Sequence, residues 1–80
     1  MIPIQMQEVQ SSNIAAAGYD APSSTLAVKF TGGSDKTYHY LGVPPEIGKG
    51  MLEAESVGRF FAKEVRGVFE HQVVDDRDAI

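Results

Sequence analysis

The 80-residue sequence contains no cysteine, so neither a disulfide bond nor a thiolate metal site can stabilise its fold. No apolar run approaches the roughly 20 residues needed to span a bilayer, and the first residues lack the basic region of a signal peptide. The length predicts one domain, and these absences predict a soluble, cytoplasmic protein, in a bacterial cell or, for a phage protein, in the infected host cell.

Positive charge is also scarce, with 7 Lys and Arg against 11 Asp and Glu, for a net charge of −4. Proteins that capture duplex DNA are usually basic, so this balance argues against that function. A small anionic ligand needs only a few well-placed cations and is compatible with it. We predict an N-terminal arm at 1–10 and a domain at 11–74, and the cluster of acidic residues at the C-terminus predicts a disordered tail at 75–80.

Signals of catalysis are missing as well. Gly32-Gly33 lacks the lysine pattern of a phosphate-binding loop, and no GxSxG motif surrounds a serine. The two histidines, His39 and His71, lie far apart in the sequence without a metal-ligand motif. We therefore predict a protein that is not an enzyme and uses no metal or cofactor.

Three segments are predicted to be strands. Residues 11–20 contain alanines that favour a helix, but turn-forming residues bracket them, so we interpret them as a strand. Residues 25–31 alternate apolar and smaller or polar side chains, which is typical of a half-buried strand. Residues 36–41 form the return strand of a hairpin.

The pairing of this hairpin is predicted from its bulky residues, which should share one face of the sheet. We expect Phe30 opposite Tyr38, with a five-residue loop at 32–36. The same pairing places Lys29 beside His39 on the other face.

Two helices are predicted to follow, one from Pro45 to about Ala54 and one from an N-cap at Ser56 to Arg66. Residues 68–74 alternate weakly and predict a short edge strand. The fold class is therefore α+β, a small antiparallel sheet of three to four strands with two short helices packed on one face.

The other face of this sheet is predicted to be open. Its expected lining consists of small or modest side chains, namely Ala15, Ala17, Ala27 and Lys29. A flat face of this kind favours self-association, which would also stabilise so small a core. We therefore expect a homo-oligomer.

Three motifs lie in a recognisable order and spacing: Tyr38-x-Tyr40, then Gly42-Val43-Pro44, then Ser56-x-Gly58-Arg59-Phe60-Phe61. Together they resemble the KTSC domain, which takes its name from the C-terminus of some lysyl-tRNA synthetases. The resemblance runs from Ser11 to about Val73 and implies RNA binding. Ala62 departs from the pattern, because many relatives have asparagine there.

Candidate ligand-binding residues combine cations with aromatic side chains; they are Arg59, Lys63, Arg66, His39, Tyr38, Tyr40, Lys36 and Ser12. The first three form a basic stripe on the second helix, which is either a phosphate site or a solvated face paired with glutamates such as Glu55. The tyrosines are either a stacking platform for bases or core residues. His39 faces away from them and is either a ligand contact or an exposed strand residue.

From these residues we predict a non-enzymatic binding module for RNA or a nucleotide-type anion. The alternative is a protein-interaction module, such as a phage-encoded inhibitor of a host defence, or a homo-oligomer that sequesters small nucleotides. Charge discriminates between these functions. A polymer requires a continuous basic surface, a small ligand requires an isolated arginine pocket, and a protein partner requires neither.

Overall fold

The computed structural model describes residues 4, 6–9, 11, 13–32 and 36–75 of the chain. Five antiparallel strands form one sheet in the order in which they follow along the chain. They are β1 (Gln7–Glu8), β2 (Ile14–Asp20), β3 (Thr25–Phe30), β4 (Lys36–Tyr40) and β5 (His71–Asp75). Between β4 and β5 come α1 (Pro45–Glu53), α2 (Val57–Phe60) and a π-helical segment (Phe61–Val65).

The α+β class is confirmed, but the sheet has five strands rather than three to four. The additional strand is β1, which consists of two exposed polar residues, Gln7 and Glu8. Its pairing with β2 depends on backbone hydrogen bonds, so no apolar alternation indicates it in the sequence. β1 belongs to the segment predicted as an N-terminal arm, and residues 76–80 of the predicted tail lie outside the described residues.

The predicted register of the β3–β4 hairpin is wrong by two residues. Val28 lies opposite Tyr38 and Leu26 opposite Tyr40, while His39 pairs with Ala27 rather than Lys29. A slip of two residues keeps every side chain on its original face. The apolar pattern therefore predicts the correct face but cannot distinguish between the two registers.

A β-bulge in β2 makes a second prediction wrong, the placement of Ala17 on the open face of the sheet. Ile14 pairs with Phe30 and Ala16 with Lys29, so Ala15 is an extra residue on this strand. Beyond the bulge the alternation is reversed, and Ala17 is fully buried in the core instead of lining the open face as predicted. The bulge thus directs both Ile14 and Ala17 towards the helices.

The first helix packs on the sheet through Tyr19. The hydroxyl of Tyr19 donates a hydrogen bond to the Val43 carbonyl, 2.6 Å away, just before Pro45 opens α1. The ring of Tyr19 lies against the backbone of Gly48, where no side chain intervenes. Glycine at this position therefore permits the close approach of helix and strand, and Met51 of the same helix is fully buried.

The second helix starts at the predicted N-cap, where the Ser56 hydroxyl accepts a hydrogen bond from the Arg59 backbone N–H at 3.4 Å. After one α-helical turn it continues as the π-helical segment, ending with a 2.8 Å bond from the Arg66 N–H to the Phe61 carbonyl. Gly67 follows with φ of 77° and turns the chain towards β5. None of the helices in the described residues is long and apolar enough to cross a membrane.

Replacing Gly48 with alanine tests the packing of α1. The added Cβ would overlap the Tyr19 ring, so we expect the free energy of unfolding to fall by about 1–3 kcal/mol. Helix propensity alone predicts the opposite sign, a gain of about 1 kcal/mol. Urea unfolding followed by circular dichroism measures the difference.

The matched control is Gly50→Ala in the same helix. There the added Cβ would lie 3.1 Å from the tip of the Phe60 ring, which can shift by a few tenths of an ångström. The change in stability should be smaller than for Gly48→Ala. Equal effects of the two substitutions would contradict the close packing of Tyr19 on Gly48.

Candidate ligand-binding cleft

A cleft of about 600 Å³ opens between the second helix and the strands β3, β4 and β5. We call it the aromatic cleft. Its lining residues are Asn13, Ile14, Phe30, Thr31, Tyr38, Tyr40, Gly58, Phe61, Ala62, Arg66, Gly67 and His71. The cleft thus combines aromatic rings with one guanidinium group.

Edge-to-face contacts fix the rings at the base of the aromatic cleft. The Phe30 ring lies 5.1 Å from that of Tyr38 and 5.4 Å from that of Phe61. Tyr40 contacts Phe61 at 5.4 Å in the same geometry. Such contacts contribute roughly 0.5–1.5 kcal/mol each beyond the burial of area. The rings are therefore held in place before any ligand arrives.

His71 extends this aromatic surface to the solvent. It pairs with Tyr40 across β4 and β5, and its ring centre lies 5.2 Å from that of Tyr40 and 5.5 Å from that of Tyr38. The residue is exposed. An imidazole held against two tyrosines is suited to stacking on a planar ligand and to hydrogen bonding with it.

Sequence reasoning missed His71 because it considered this histidine only as a metal ligand. The available signal was the weak alternation in residues 68–74, which predicts a strand. A strand pairing with Tyr38-x-Tyr40 would have brought one of its residues beside a tyrosine. In the described part of the chain, no group of three or more potential ligand residues is placed to hold a metal ion.

Tyr40 has an altered acidity. Burial raises its pKa above the ordinary value of 10.0, the neighbouring Tyr38 adds to the rise, and the positive charge of Arg66 opposes it. At neutral pH the Tyr40 hydroxyl is therefore protonated and can donate a hydrogen bond.

A second, more polar cleft of about 510 Å³ adjoins the first. We call it the polar cleft, and its lining residues are Ser11, Asn13, Glu55, Ser56, Gly58, Arg59 and Ala62. Three of these, Asn13, Gly58 and Ala62, also line the aromatic cleft. The two clefts therefore share a wall made from the second helix and the residue that precedes β2.

The predicted site residues are divided between these clefts. Tyr38, Tyr40 and Arg66 lie together in the aromatic cleft, whereas Arg59 lies in the polar cleft. The backbone N–H of Arg59 donates to the Ser56 hydroxyl, so it is not free to bind an anion. Any anion at Arg59 would be held by its guanidinium group.

The remaining predicted residues lie elsewhere. Lys63 is exposed and lines neither cleft. His39 occupies the opposite face of the sheet from Tyr38 and Tyr40, between Ala27 and Gln72 of the neighbouring strands. Lys36 is exposed at the start of β4, and Ser12 lies outside the described residues.

The raised pKa of Tyr40 predicts a loss of stability at alkaline pH. The folded state holds the phenolic proton more tightly than the unfolded state does, so this stabilisation is present below about pH 10. It is lost as the pH rises through the pKa of the folded protein. The free energy of unfolding, measured with urea from about pH 8 to about pH 11, should therefore fall less steeply for Tyr40→Phe than for the unsubstituted chain. Parallel pH profiles would contradict the expectation.

The sequence was compared with known families and proteins. The KTSC domain model matches residues 10–69. A protein from Tsukamurella paurometabola is 56% identical over 55 residues, which are 69% of this chain and 79% of that protein. A protein from Stutzerimonas stutzeri is 43% identical over 53 residues, which are 66% and 72% of the two chains.

Two further similarities concern a solved structure and a larger enzyme. The lysine–tRNA ligase of Nostoc punctiforme is 29% identical over 72 residues, which are 90% of this chain but only 12% of the ligase. The crystal structure of a KTSC domain protein from Yersinia pestis superimposes with a TM-score of 0.82 at 36% identity, covering 90% of this chain and 99% of that one. Family model and structure agree with the resemblance in the motifs, and the chain belongs to the KTSC domain family.

Proposed function

We propose that this KTSC domain is a non-enzymatic module that binds a nucleotide unit, either free or within single-stranded RNA, in the aromatic cleft. The observation that carries the proposal is the presence of Arg66 in the same cleft as Tyr38, Tyr40 and His71. A nucleotide has a flat base and an anionic phosphate, and the cleft offers a partner for each.

The base would stack on the exposed ring of His71. This ring is held at 5.2 Å and 5.5 Å from two tyrosine rings, which limits its motion before binding. Stacking of a base on an aromatic side chain contributes about 1–3 kcal/mol and accepts every base. Asn13, whose side chain is exposed at the same cleft, can donate and accept hydrogen bonds with a base edge or a ribose hydroxyl.

The phosphate would be bound by Arg66. Its guanidinium presents a planar fork that matches two phosphate oxygens. Arg66 is the one Lys or Arg among the described residues that line the aromatic cleft, so it would supply the positive charge there.

One observation favours a ligand related to RNA, and another favours a short ligand. The lysine–tRNA ligase of Nostoc punctiforme contains a segment similar to this chain, which favours a ligand related to RNA. The chain itself carries a net charge of −4, and the arginines lie in separate clefts rather than on a continuous basic surface. That distribution favours a short ligand over a long polymer.

A second candidate function is a protein-interaction module, including self-association as a homo-oligomer. The observation that favours it is the sheet edge formed by β5, where Val73 is 48% exposed and the nearby Val68 is 62% exposed. An edge strand can pair with a strand of another chain. Native mass spectrometry would report the oligomeric state and any bound partner or nucleotide together.

Substituting Arg66 with alanine tests the nucleotide proposal. Charge-assisted contacts contribute roughly 1.5–3 kcal/mol, so affinity for a mononucleotide should fall by about ten- to a hundredfold. Isothermal titration calorimetry with the four ribonucleoside monophosphates and with a short single-stranded RNA measures the change. His71→Ala should weaken the same ligands through the loss of stacking.

Lys49→Ala is the matched control, because it also removes one positive charge but from an exposed position on α1 outside both clefts. Its affinity should equal that of the unsubstituted protein. If the unsubstituted protein binds no ribonucleotide or short RNA at millimolar concentration, the nucleotide proposal is wrong and the protein-interaction function becomes the better candidate.

A further inference from the structure

We propose that the aromatic and polar clefts form one groove for two consecutive nucleotide units, with the second phosphate bound by Arg59. This inference rests on the proposed function of the aromatic cleft and specifies its ligand. The first unit occupies the aromatic cleft, with its base against His71 and its phosphate on Arg66. The second unit continues along the helix into the polar cleft.

The continuity of the groove follows from the residues that the clefts share. Gly58 and Ala62 lie one turn apart on the second helix and line both clefts, together with Asn13, the residue that precedes β2. Glycine and alanine are the smallest side chains, so nothing bulky separates the two spaces. At Gly58 an added Cβ would lie 3.1 Å from the Ser11 hydroxyl oxygen, and a larger residue there would narrow the passage.

The placement of the two arginines in different clefts favours two phosphates rather than one. Arg59 lies in the single α-helical turn, whereas Arg66 lies at the end of the π-helical segment. The two arginines would therefore bind different phosphates, in a strand whose first base is unstacked and turned into the aromatic cleft.

The charges along the groove limit the ligand to about two units. Its described lining contains Arg66 in the aromatic cleft and Arg59 in the polar cleft, and no lysine. The polar cleft is also lined by Glu55, whereas the aromatic cleft is not. A third phosphate beyond Arg59 would meet this carboxylate without a cation to compensate, and like charges repel.

Calorimetry with a length series tests the inference on the full chain. The probes are 5′-phosphorylated ribonucleotides of one, two, three and four units. Affinity should rise by about tenfold or more from one unit to two, as expected for one added charge-assisted contact, and change little beyond two. Arg59→Ala should reduce the affinity for the dinucleotide to that for the mononucleotide. Arg66→Ala should weaken both, and the Lys49→Ala control should reproduce the full series.

The possible outcomes separate this inference from the function on which it rests. A mononucleotide that binds as tightly as the dinucleotide would overturn the two-unit groove while leaving the aromatic cleft as the binding site. A steady rise through four units would overturn the length limit. If the affinity of Arg59→Ala still rises from one unit to two, the proposal that Arg59 binds the second phosphate is wrong. Failure of every probe to bind would overturn the proposed function and this inference together.

Discussion

The position of the Phe61 ring between Phe30 and Tyr40 is the constraint on which the rest of the molecule depends. Phe61 contacts each of the other two rings at 5.4 Å, edge to face. It begins the π-helical segment, so these contacts join the second helix to β3 and β4 and set how far the helix stands from the sheet. The same three rings form the base of the aromatic cleft. Core packing and cleft shape are therefore consequences of one interaction.

The sequence predicts the elements of this fold well, because the signals for them are local. The Ser56 cap and the Pro45 start lie where hydrogen bonding and backbone restriction require them. The strand register and the β-bulge are not predicted by local signals, because they depend on how two strands pair. A slip of two residues preserves the faces of β4, and the extra residue Ala15 reverses the faces of β2 without any change in composition.

The candidate site was only partly predictable for a related reason. Tyr38, Tyr40 and Arg66 stand out by residue type and spacing, and the structure brings them into one cleft. His71 joins them through the pairing of β5 with β4, and the weak alternation in residues 68–74 predicts the strand but not its partner. No sequence pattern predicts the π-helical segment either. This segment ends with the hydrogen bond from the Arg66 N–H to the Phe61 carbonyl, which fixes the position of the Arg66 backbone. Such wide turns are frequent at functional sites.

A chain of negative net charge can bind an anion at a site where the nearby charged groups are positive. Charges farther away than the Debye length, about 8 Å at physiological ionic strength, are largely screened at an exposed surface. Glu55 is the carboxylate that lines the polar cleft, and it does not line the aromatic cleft. Among the charged side chains that line the clefts, a phosphate beside Arg66 would face that guanidinium alone, whereas one beside Arg59 would face a cation and an anion together. The stronger anion site should be the aromatic cleft, which makes it the anchor and the polar cleft the extension.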